Sequence, residues 1–226
     1  MTGRDLNIGH DTTEQKRRGL IAEAAKLGRL AQKRKPPKGL GARSLALPHL
    51  WLVTDPDRLP DPVRTARTLP RGSGIIYRSF GRAQALAEAL ALSNLAKRRG
   101  LMLLIGADDG LARLVEADGV HLPERMMGQA KRLRARHPNW ILTTAAHSPR
   151  AIAKAARLGL DAALISPVFV SQSPSASQPL GQTRVAQWVG GARLPVIALG
   201  GIGHKNARLL SGTGVWGIAA VDGLRT

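Results

Sequence analysis

The chain has 226 residues, 34 Lys or Arg against 15 Asp or Glu, and no cysteine. That length suits one barrel-sized domain with a tail or two small domains, and the lack of cysteine excludes a disulfide framework and thiolate metal ligands, as fits a reducing, cytoplasmic setting. No apolar run is long enough to cross a bilayer, while the formal charge of +19 favours polyanions without choosing among phosphorylated metabolites, anionic lipid and nucleic acid.

Residues 1–13 are polar and aperiodic and read as disordered. Residues 14–32 read as a helix with Leu20, Ala24, Leu27 and Ala31 on one face and Lys16, Arg17, Lys26 and Lys33 around it. The run KRKPPK, residues 33–38, ends it, because Pro36-Pro37 forbids continuation. A basic amphipathic helix of this kind either packs on its own domain or docks on a polyanion. Residues 1–44 form a basic extension, with 11 basic residues against 4 acids, and residues 45–226 form the main domain.

From His49 onward strands and helices alternate. Strands are expected at residues 50–53, 74–77, 101–105, 119–122, 140–144, 162–165, 195–199 and 215–220. Helices are expected near 62–68, 82–99, 110–116, 126–136, 149–158, 184–189 and 205–210. Eight strands with seven intervening helices predict an α/β fold, a (β/α)8 TIM barrel lacking a full last helix. An uncovered parallel strand would expose apolar surface, so the N-terminal helix is expected to cover the gap near strands one and eight, in its own subunit or in that of a homo-oligomeric partner.

In such barrels chemistry sits at the C-terminal ends of the strands. Those ends carry Asp55, Arg78, Asp108, His121, Glu124, His147 and, after strand seven, Gly200-Gly201. Paired glycines closing a buried strand let backbone N–H groups approach a phosphate, and the last two loops of the barrel are its usual place. The same glycines could instead serve only a tight strand-to-helix turn. Residues 169–181, FVSQSPSASQPLG, form a long Ser- and Pro-rich loop that reads as a flap over the mouth or as an insertion without function. His147 and His121 can act as neutral bases near pH 7 or be structural.

Six segments taken in order resemble the thiamine phosphate synthase family and its sister group, the TenI-like thiazole tautomerases. They are LWLVTD (50–55), IIYR (75–78), DGVHLPE (118–124), AAHS (145–148), ISPVF (165–169) and PVIALGGI (195–202). The resemblance implies joining of a hydroxymethylpyrimidine diphosphate to a thiazole phosphate with loss of pyrophosphate, or, in a barrel that has lost this chemistry, binding of thiazole phosphate or thiamine phosphate as carrier or regulator. It implies a small phosphorylated thiazole or pyrimidine ligand, with phosphate on Gly200, Gly201, Ala219 and Ala220. It makes Arg78, Ser171 and Ser173 catalytic, beside His147.

The sequence departs from the family mostly at the diphosphate end. Where the synthases present Gln, Arg and Lys on strand two, this chain has Ile76, Arg78 and Phe80. The family's two magnesium aspartates are Ala107 and Met126 here, which leaves Asp108 and Glu124 as the nearby carboxylates for Mg2+. Pro174 replaces the flap lysine, Ala145 the strand-five serine, and Pro167 the tautomerase histidine. A third reading takes Lys131 to Arg136 with the N-terminal helix as a nucleic-acid surface. No aromatic base-reading motif accompanies it, and such runs are usually solvated helix faces.

Overall fold

A computed structural model describes residues 12–34, 41–171 and 178–226; the start of the chain, the Pro36-Pro37 stop and the centre of the Ser-rich loop lie outside the described residues. Eight parallel strands close into a barrel in sequence order, with β8 pairing β1. They are β1 (Leu50–Val53), β2 (Gly74–Tyr77), β3 (Met102–Gly106), β4 (Gly119–Leu122), β5 (Ile141–Ala146), β6 (Ala162–Ile165), β7 (Val196–Leu199) and β8 (Gly217–Ala220). Between them run α3 (Pro62–Ala66), α4 (Ala85–Arg99), α5 (Asp109–Leu114), α6 (Ala130–Arg136), α7 (Pro149–Arg157) and α8 (Gly181–Gly190), preceded in the chain by α1 (Thr13–Lys33) and the short α2 (Ala42–Leu45).

Alternation along each strand divides the core in two. Trp51, Val53, Ile76, Leu104, Leu164, Ile197 and Ala219 fall in one cluster, the barrel interior. Leu50, Leu52, Ile75, Tyr77, Leu103 and Ile105 join the larger cluster shared with the helices. Trp51 is fully buried and donates its indole N–H to Pro48 O at 2.8 Å. Its ring occupies the space a side chain at Gly74 would need, so the register that sets Trp51 opposite Gly74 requires glycine there.

Helix α1 opens with a capping box, Thr12 accepting from the Gln15 N–H while the Gln15 side chain accepts from the Thr12 N–H. Leu20, Ala24 and Leu27 enter the outer core, and the helix lies against β8 and β1. Buried Arg17 donates to Thr68 O at 3.0 Å and pairs with Glu14, fixing the N-terminal half. At the other end Arg34 donates to Gly212 O at 3.1 Å.

Three expected elements are corrected. The stretch after β7 is not a helix over 205–210 but a single 3-10 turn, Ala207–Leu210, because Asn206 ties the preceding loop down and Gly212 follows closely. Residues 126–136 divide into a 3-10 segment, Glu124–Gln129, and α6. Strand eight begins at Gly217 rather than Val215. After β8 comes a 3-10 turn, Asp222–Leu224. Among the described residues no helix is long and apolar enough to cross a membrane.

Candidate functional site

The C-terminal ends of the strands open on a cavity of about 850 Å3. Arg78, His147, Ser171, Gly200, Gly201 and Ala220 all line it. Ala219 sits one residue deeper, fully buried in the barrel interior, and Ser173 lies outside the described residues. The cavity is also walled by Lys16, Arg58, Lys205, Asn206 and Arg225, which the sequence reading did not place there.

Gly200 and Gly201 have φ of +97° and +66°, in the region that favours glycine. The close approach of the β6 loop is a second reason for glycine. A Cβ on Gly200 would lie 2.8 Å from Pro167 Cα, and one on Gly201 would run into the Val170 carbonyl oxygen and Phe169. Phe169 N–H donates to Gly200 O at 3.0 Å, and Asn206 donates to Gly201 O at 2.7 Å while accepting from Gly203 N–H at 2.9 Å. The carbonyls are thus occupied. The N–H groups of Gly200 and Gly201 donate to no backbone acceptor among the described residues.

Across the mouth, Arg78 leaves β2 held at three points. Its backbone N–H donates to Thr54 Oγ1 at 2.8 Å, its Nε to Thr54 O at 2.7 Å and an Nη to Asp55 at 3.3 Å. Arg58 bridges the same Asp55 and Asp222, both at 3.0 Å. Burial pulls the Arg78 guanidinium below its ordinary value, Asp55 opposing this and Arg58 adding to it; a guanidinium stays charged nonetheless. Burial pushes the Asp55 carboxyl up, but the hydrogen bond and charge of Arg58, with the charge of Arg78, outweigh it and hold it low. The Arg78 guanidinium carbon stands 5.2 Å from the ring centroid of Phe80, which is 67% exposed.

His147 Nδ1 lies 3.1 Å from Ser166 O. Since a carbonyl only accepts, Nδ1 carries the proton and Nε2 is the basic nitrogen. His121, at the end of β4, does not line the cavity; its Nδ1 meets Thr143 Oγ1 at 2.9 Å, and burial, aided by the Arg78 charge, lowers its pKa to about 3.

The carboxylates expected for magnesium do other work. Asp108 caps α5 by accepting from Leu111 N–H at 2.8 Å, and Glu124 accepts from His147 N–H at 2.7 Å; neither lines the cavity. Among the described residues no three His, Cys, Asp or Glu side chains gather to hold a metal ion. Asp108 and Glu124 therefore do not form a magnesium site facing this cavity. The basic run on α6 is likewise tied down in part, with Arg134 paired to Asp161 at 2.6 Å and Arg132 to Asp109 at 3.8 Å.

The model of the thiamine monophosphate synthase family matches residues 50–224. The chain belongs to this family. A thiamine-phosphate synthase of Chlorobium luteolum is 30% identical over 179 residues, covering 77% of this chain and 84% of the relative. One of Chloroflexus aurantiacus is 32% identical over 142 residues, covering 62% of this chain but only 64% of its own length. The solved thiamine phosphate pyrophosphorylase of Pyrococcus furiosus superposes with a TM-score of 0.69 at 25% identity, covering 80% of this chain and 88% of that one. The family places the chain in thiamine biosynthesis, and the thiamine monophosphate synthase match runs from β1 to the turn after β8, so the whole barrel is shared.

Proposed function

We propose that the chain is a thiamine phosphate synthase whose cavity binds a thiazole monophosphate and a hydroxymethylpyrimidine diphosphate. The observation that carries this is the shared cavity, in which the diglycine end and Arg78 face one volume large enough for two small ligands. The thiazole phosphate rests on the N–H groups of Gly200 and Gly201, with Ala220 closing the other side. The thiazole nitrogen then attacks the pyrimidine methylene carbon, a C–N bond forms, and the C–O bond to diphosphate breaks with its electrons on the leaving oxygen. Arg78 supplies positive charge to that leaving group, and Ser171 supplies a hydroxyl. His147 orders the β5 and β6 loops around them. No step is routed through magnesium, because neither Asp108 nor Glu124 lines the cavity.

Incubating the protein with both substrates, in chelator and in magnesium, and reading thiamine phosphate by mass with released pyrophosphate, tests this. Product in either buffer supports the reading. Binding of thiazole phosphate with no product in both buffers overturns it in favour of a carrier or regulator.

A further inference from the structure

The strand ends supply the diglycine and Arg78, yet three further cations converge on the same cavity from other segments: Lys16 of α1, Lys205 after the diglycine and Arg225 after β8. All three are exposed, and none has a carboxylate partner among the described residues. Several other basic side chains do pair, as in Lys26 with Glu23 and Lys97 with Glu116. Like charges held around one concavity raise its potential together, and an entering anion relieves their repulsion. Arg58 adds a buried Nε–H in that wall with no acceptor among the described residues.

Lys16 is held in place by its own helix. Arg17, next to it, is buried and donates to Thr68 O. Less than one turn later Gly19 packs so close to the loop after β7 that a Cβ on it would lie 3.2 Å from His204 Cβ. The N-terminal half of α1 therefore rests on the loop that carries Gly200 and Gly201.

We propose that Lys16, with Arg225, forms the outer wall of the phosphate site, so that α1 binds ligand as well as covering β1 and β8. This rests on the reading that the Gly200-Gly201 end takes the phosphate. Ligand then favours the docked helix, since only that state offers the full set of charges.

Calorimetry on the full chain at low ionic strength tests it, with the phosphorylated thiazole and the unphosphorylated thiazole alcohol as probes. The variants are Lys16→Ala, Lys16→Ala with Arg225→Ala, Lys16→Arg, and Lys33→Ala, whose side chain does not line the cavity. Lys16→Ala should weaken the phosphorylated probe about fivefold and the double variant further. Lys16→Arg and Lys33→Ala should bind as the parent does, the alcohol should not distinguish the variants, and high salt should erase the differences. Equal affinity of the parent and both alanine variants for the phosphorylated probe overturns the proposal and leaves the diglycine reading standing. If the parent itself fails to bind that probe, both fall.

Discussion

Arg78 is the side chain on which the proposed chemistry leans most, because two hydrogen bonds, to Thr54 O and Asp55, fix its guanidinium before any ligand arrives, while its backbone N–H is held by Thr54 Oγ1. Arg78→Ala should lower kcat on the order of 100-fold with the melting temperature little changed, a split readable from steady-state kinetics beside a thermal melt. At Gly201 the expected effect is on the fold itself. Gly201→Ala forces a side chain into a positive φ and against the Val170 carbonyl, so it should cost about 2 kcal/mol in denaturant unfolding and abolish phosphate binding. His121 sets a pH dependence. Its folded pKa near 3, against an ordinary 6.5, means that between those values the unfolded chain takes a proton the folded chain refuses. Stability is full above 6.5 and falls as pH drops through the window, by about 2 kcal/mol from pH 6.5 to 5, and His121→Gln should flatten that slope in melts across pH.

At the scale of elements, the apolar face of α1 packs against β8 and β1, where a 3-10 turn rather than a helix follows β8 among the described residues. Leu20 is fully buried there, and Leu20→Ala should cost about 3 kcal/mol, a fall of roughly 6 to 12 °C in Tm. The face Leu20, Ala24, Leu27, Ala31 was legible from its helical spacing, and so were eight strands, because a parallel strand buried on both sides must be a short unbroken apolar run. The 3-10 turn at Ala207–Leu210 was not legible, for what stops a helix there is Asn206 reaching back to Gly201 and Gly203, a contact set by the folded loop. Arg58 escaped notice for a similar reason. Its spacing from Asp55 is visible in the sequence, but only closure of the barrel brings Asp222 to it. Asp108 and Glu124 drew attention as carboxylates near family metal positions; that one serves as a helix cap and the other as a loop acceptor is decided by neighbouring N–H groups no pattern displays.

Over the whole molecule, the excess of positive charge has a local meaning at the mouth of the barrel. Lys16, Arg58, Arg78, Lys205 and Arg225 face one cavity there with Asp222 as an acidic counterpart in its lining. Electrostatic focusing in such a concavity draws phosphorylated substrates and makes their capture fall with ionic strength. The barrel supplies what charge alone lacks, a rigid frame that sets backbone donors at one side and a fixed guanidinium at the other. The most direct measurement is a crystal structure with thiazole monophosphate bound. The account predicts its phosphate within hydrogen-bond distance of the Gly200 and Gly201 N–H groups, its ring toward Arg78; a phosphate seated elsewhere, with those two N–H groups left in water, would contradict it.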